Sequence, residues 1–103
     1  MKLWIDDVRV PPESFIPSYI WCKSVIESQA AIIVYEEANH PFELIDIDHD
    51  AGDFSKDGGD YIKLLDWLEE TGRNYPIRIH SMNPVGRENM RAIIKRNGWT
   101  EVM

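Results

Sequence analysis

Lys2-Leu3-Trp4-Ile5-Asp6-Asp7 and Phe42-Glu43-Leu44-Ile45-Asp46-Ile47-Asp48-His49-Asp50 share one form, a short apolar run that ends in clustered acids. In an open parallel sheet the carboxyl ends of neighbouring strands face one crevice, so acids distant in sequence converge there. Crowded carboxylates raise one another's pKa, and a hard divalent ion such as Mg²⁺ relieves that repulsion while keeping positions open for water or a phosphate. The two clusters therefore point to a metal site. The plainer alternative is that acids at strand ends are only solvated loop residues.

Working outward, strand-like and helix-like segments alternate along the chain, which predicts an α/β domain with a mainly parallel sheet. Strands are expected near residues 2 to 5, 19 to 23, 43 to 47, 76 to 80 and 99 to 102, in the order 2-1-3-4-5. Helices are expected at 24 to 38, 59 to 71 and 84 to 97, the last stopped by Asn97-Gly98. The charged, glycine-containing stretch Gly52 to Gly59 reads as a flexible loop beside the second acidic cluster. At 103 residues the chain is long enough for one core and too short for two, so residues 1–103 are expected to form a single domain.

A five-stranded doubly wound domain has two more helices than this. Pro11, Pro12 and Pro17 prevent a long helix after the first strand, and no helical segment follows the fifth. Side-chain parity agrees. Leu3, Ile5, Ile20, Cys22, Ile45, Ile47, Ile77, Ile79 and Val102 form an aliphatic face, while Lys2, Trp4, Tyr19, Trp21, Asp46, Arg78, His80, Trp99 and Glu101 fall on the other. The prediction is a reduced fold with helices mainly on one face and the second face partly covered by residues 8 to 18. Trp4, Trp21 and Trp99 either pack under that segment or form an open face for a homodimer contact or a stacked base.

Composition excludes several classes. A net charge of -7 argues against a duplex nucleic acid partner, which needs clustered cations. The single Cys22 rules out an internal disulfide and a cysteine zinc site and fits a reducing, cytoplasmic location. No apolar run reaches the length of a membrane span and no signal pattern opens the chain. Walker, dinucleotide, nucleophile-elbow and paired-histidine motifs are absent, and Asp48 to Gly59 lacks the closing Glu of a calcium loop.

The segment Ile79-His80-Ser81-Met82-Asn83-Pro84-Val85-Gly86 turns a strand into a helix, with Asn83 as N-cap and Pro84 as first helical residue. Amides at that start, with Gly86 allowing close approach, would form an anion site beside the acids; simple capping explains Asn83 and Pro84 equally well. His80 and His49 flank the same crevice and suit proton transfer, His80 being expected to matter more for activity than for folding. His40 falls at the opposite end of the sheet. Arg9 offers a planar fork of donors to a phosphate or an ion pair to Asp7 or Asp50.

These residues resemble the receiver domains of response regulators, and more closely the group described as cyclic-phosphate processing receiver domains. The matching motifs are Asp6-Asp7-Val8-Arg9 with the following prolines, Asp48-His49-Asp50, Gly59-Asp60 with Trp67-Leu68, and His80 to Gly86 with Asn89-Met90. The resemblance implies a flavodoxin/receiver-like fold in which Asp6, Asp7 and Asp48 bind Mg²⁺ (or Mn²⁺), Asp48 occupies the phosphoacceptor position and Ser81 matches the switch hydroxyl. The essential Lys at the end of a receiver's fifth strand has no counterpart in Trp99-Thr100-Glu101-Val102. The leading expectation is a metal-dependent phosphoesterase or cyclic phosphodiesterase-like hydrolase, acting on a cyclic phosphate or nucleotide end. In it the metal and the helix start, with Arg9, Ser81, Asn83 and Gly86, take the phosphate charge. His80, His49 and Asp48 carry the chemistry, and Asp50 either orients a histidine or supports the metal ligands from behind. The alternative is a non-enzymatic receiver-like sensor that binds a phosphorylated ligand or protein partner; a degenerate structural adaptor is a third.

Overall fold

Alternation along each strand decides the layers. In the computed structural model, which describes residues 1–12 and 18–103, β1 (Lys2–Ile5) lies between β2 (Tyr19–Cys22) and β3 (Ile45–Ile47), and β4 (Ile77–Ile79) follows β3. The order is β2-β1-β3-β4 and every pairing is parallel. Register places Leu3 opposite both Ile20 and Ile45, and Ile45 opposite Ile77, so the branched aliphatic residues line up across one face. That face meets α1 (Val25–Glu37), α2 (Ile62–Glu70) and α3 (Pro84–Asn97) in one core, to which the helices give Val25, Ile32, Leu64, Leu65, Leu68, Met90, Ile93 and Ile94. Truncating a fully buried leucine such as Leu65 to alanine in such a core costs about 2–5 kcal/mol.

Local chemistry sets the helix ends. The Ser24 hydroxyl accepts the Glu27 amide at 3.0 Å, and the Glu27 carboxylate reaches back to the Lys23 amide at 2.9 Å, closing the first turn of α1 from both sides. At the start of α3 the Asn83 side chain accepts the Gly86 amide at 3.0 Å, with Pro84 in the first turn. At its end Gly98 takes φ 68°, its amide donating to the Lys95 carbonyl at 3.2 Å and the Trp99 amide to the Ile94 carbonyl at 3.1 Å. That is a Schellman stop, and it folds Trp99 back onto the helix.

The stop overturns two expectations. The predicted fifth strand at 99 to 102 is reduced to one bridge between Glu101 and Ile77, so the sheet has four strands. Trp99, folded back, is buried in the helix-side core instead of standing on the second face, while Val102 is 39% exposed. The expected loop from Gly52 to Gly59 contains a 3-10 helix, Gly52–Lys56, and α2 begins three residues after that stretch.

On the second face no helix is present among the described residues. The chain leaving β1 crosses it, held by two indoles: Trp21 Nε1 donates to the Asp6 carbonyl and Trp4 Nε1 to the Arg9 carbonyl, each at 2.7 Å, and Pro11 is buried. Residues 13 to 17 of the expected cover lie outside the described residues. Trp4 is buried and Trp21 half-buried, each with its polar atom used inside the molecule, as the packed reading expects of them; with Trp99 in the core, the alternative open face of three tryptophans is not formed. No helix among the described residues is long and apolar enough to cross a membrane.

Candidate functional site

Asp6, at the carboxyl end of β1, is fully buried. Its Oδ1 accepts the amides of Val8 at 3.0 Å and Arg9 at 2.8 Å, an Asx turn that redirects the chain over the second face. Its Oδ2 is 2.9 Å from His80 Nε2 and 3.8 Å from Arg9 Nε. Burial pushes the Asp6 carboxyl up, but the two amides and His80 outweigh it and hold the group below the usual carboxylate range.

His80 follows β4 and is held on every side. Its Nδ1 is 2.7 Å from Asp46 Oδ1, its ring stacks on Trp4 with centroids 3.9 Å apart and planes at 2°, and its side chain is 6% exposed. Asp46, central in β3 and 1% exposed, also accepts from Arg78 Nη1 at 3.1 Å. The two carboxylate contacts of the ring each require a hydrogen, and a neutral imidazole supplies one. The second hydrogen is therefore on the ring, making it an imidazolium, or on a carboxyl. The sequence placed His80 away from the aliphatic face; the structure adds that it is a bridge between two buried acids.

Asp48, after β3, is half-buried at the mouth of the crevice. Its Oδ1 accepts the His49 amide at 2.8 Å, and Ser81, itself buried, lies close enough to act on its carboxyl. Burial, reinforced by the charge of Asp6, pushes the Asp48 carboxyl above its ordinary value against the opposing pull of the His49 amide, His80 and Ser81. His49 is fixed by its Nδ1, 2.8 Å from Asp50 Oδ1, and its Nε2 has no hydrogen-bond partner among the described residues. The ring lies flat against Gly86, where an added Cβ would stand 2.5 Å from His49 Cγ.

That contact revises the part expected of Gly86. Its amide is already given to the Asn83 side chain, and the Asn83 amide goes to Ser81 Oγ at 3.1 Å. Neither amide is spare for an anion. The glycine instead makes room for His49, and Asn83 caps the helix. Arg9 is half-exposed at the rim, with Nη1 3.3 Å from the His80 carbonyl; the ion pair it forms is to Asp6.

Asp6, Asp48 and His80 form the one group among the described residues in which three metal-ligand atoms lie within 4.8 Å of one another. Asp7 is outside that group. Its carboxylate rests against Gly52, in the space a Cβ would fill, and it acts with Asp6, Asp48 and Asp60 on the buried Tyr61 hydroxyl, whose pKa burial and then these charges raise. The donor set fits a small hard cation that keeps several waters and takes one or two carboxylates. Within that group the oxygens left for it are those of Asp48, with a remaining lone pair on Asp6 Oδ2; His80 is committed to hydrogen bonds. Sequence reasoning gave Asp46 no role, although an acid in the middle of Ile45-Asp46-Ile47 is a signal, since a carboxylate in a buried strand needs a partner.

Acids after β1 and β3 and a buried serine after β4, on a parallel sheet ordered β2-β1-β3-β4, are the features of a receiver-type α/β domain. The family model described as "Cyclic-phosphate processing Receiver domain" matches residues 1–96, and the chain belongs to that family. No curated protein and no solved structure matches the chain.

Proposed function

We propose that this receiver-type domain is a metal-dependent phosphoesterase acting on a cyclic phosphate or a phosphorylated nucleotide end. The observation that carries the reading is the crevice in which Asp48, its carboxyl raised, stands between Asp6 and Ser81, with an oriented histidine beside it. Asp48 and Asp7, next to Asp6, would hold Mg²⁺ or Mn²⁺. Such an ion, when bound, supplies charge stabilisation at a phosphate oxygen. Asp50 fixes the His49 ring through Nδ1, which leaves Nε2 as the atom that takes or gives a proton. His80, fixed at both nitrogens, holds Asp6 in place. Arg9 at the rim binds a phosphate oxygen.

The test is a Mg²⁺-supplemented assay on nucleoside 2′,3′-cyclic phosphates. Wild-type turnover should fall about 10²- to 10⁴-fold in His49→Ala, the usual contribution of a general acid or base, with the fold retained. Full turnover in that variant would remove the proton-transfer role. A second reading, a sensor that binds a phosphorylated ligand without turning it over, is favoured by the complete engagement of both His80 nitrogens. Saturable binding with no product in wild type would select it.

A further inference from the structure

Beyond His80 and Ser81 the crevice continues into a groove of about 360 Å³ along the outer edge of β4, which carries only the single bridge to Glu101. Four of the six arginines in the sequence line it, Arg9, Arg78, Arg87 and Arg91, and no lysine does. Among the described residues Glu101 is the one acid on its wall. In a chain of net charge -7, that concentration of one cation type is local and directed.

Ion pairs account for only part of it. Arg91 gives Nε to Glu101 at 2.8 Å and Nη1 to Glu88 at 3.3 Å, and Arg78 gives Nη1 to Asp46 at 3.1 Å. Arg9 is 3.8 Å from Asp6. Arg87 has no carboxylate partner among the described residues; its Nη1 makes only a 3.4 Å contact to the Ser81 carbonyl. Arg87 and Arg91, four residues apart on α3, present their guanidinium groups from one helix face. Each guanidinium has five N–H donors, so those of Arg9, Arg78 and Arg87 are mostly unspent. Planar forks of this kind match phosphate oxygens in pairs.

We propose that this groove binds a second phosphate of the substrate, separate from the one that reacts at the acidic crevice. The substrate class is then a small nucleotide carrying a cyclic phosphate together with a distant phosphate or diphosphate. A bare nucleoside cyclic phosphate would leave the groove empty. A long polyanion is disfavoured, because the net negative charge of the protein repels phosphates beyond the reach of these four cations. This inference rests on the proposed phosphate-processing role of the crevice.

Two measurements test it. In wild type, inorganic pyrophosphate should shift the arginine Nε–Hε NMR signals of Arg78, Arg87 and Arg91 and leave those of Arg73 and Arg96, paired with Glu36 and Glu69, in place. In turnover, adenosine 2′,3′-cyclic phosphate bearing a 5′-phosphate should show a KM about ten- to a hundredfold below that of the compound without it, and Arg87→Gln should collapse that ratio toward one. Equal KM values in wild type, an unchanged ratio in Arg87→Gln, or pyrophosphate shifts spread evenly over all six arginines would overturn the second-phosphate site while leaving the phosphoesterase reading intact. Absence of turnover on both compounds, with the selective pyrophosphate shifts present, would overturn the phosphoesterase reading and leave the groove as a phosphate site.

Discussion

Replacing His80 by alanine removes the bridge between two carboxylates that water scarcely reaches, Asp6 at 0% and Asp46 at 1% side-chain exposure. Stranding one buried charge costs about 3–5 kcal/mol. Here the loss falls toward the low end, since Asp6 keeps two amide donors and Asp46 keeps Arg78. Losing the stacked contact with Trp4 adds about 0.5–1.5 kcal/mol. The sum, about 4 kcal/mol, is a large share of the ~5–15 kcal/mol that holds a domain of this size folded. At about 4–8 °C per kcal/mol the melting temperature should drop by roughly 15–30 °C. Thermal melts followed by circular dichroism measure it, and a double-mutant cycle with Asp46→Asn should show strong coupling. A fall of under about 5 °C, or additive effects in the cycle, would show that the Asp6–His80–Asp46 chain does not form in solution. His80 would then be the free catalytic group that the sequence first suggested.

Three further outcomes follow from the same geometry. Because the Asp48 carboxyl is raised in the folded state, its contribution to stability is fully present below the unfolded value of about 3.9 and is lost as pH rises through the folded value; Asp48→Asn should therefore raise the melting temperature of metal-free protein at pH 7 and not at pH 3. Asp6 has the opposite sign: its folded pKa is depressed, so its stabilisation holds above about 3.9 and is lost as pH falls through the folded value, and Asp6→Asn should flatten the acid limb of the stability profile. Gly86→Ala gains about 1 kcal/mol of helix propensity but forces the His49 ring to move, so melting should change little while turnover drops; a crystal structure of the variant with His49 still on Asp50 would refute the packing argument.

How far the sequence could be read depended on the range of the interactions involved. The start of α3 was legible because a cap is a local bargain between a side chain and amides within three residues, as at Asn83. The one-sided aliphatic face was legible for a similar reason: a period of two places Leu3, Ile5, Ile45 and Ile47 together whatever the sheet does next. The stop at Gly98 was legible, but residues 99 to 102 do not go on as a strand, because the αL turn at Gly98 commits the Trp99 amide to the Ile94 carbonyl and removes it from any ladder. The partners of His80 were not legible either. Its neighbours Asp6 and Asp46 are 74 and 34 residues away in sequence, and only the strand registers bring them to its two nitrogens. What packs on Gly86 was hidden on the same ground, since the His49 ring that fills the space belongs to another loop.

The sequence by itself therefore determined the class of the sheet, the strand ends at which acids would gather and the residues that begin and end α3, because alternation and capping act within one or a few turns of chain. Only the tertiary structure decided which acids hydrogen-bond His80, which of the two crevice histidines keeps an unpartnered nitrogen among the described residues and where four scattered arginines meet, because those depend on distances between strand ends and helix faces that no local pattern encodes.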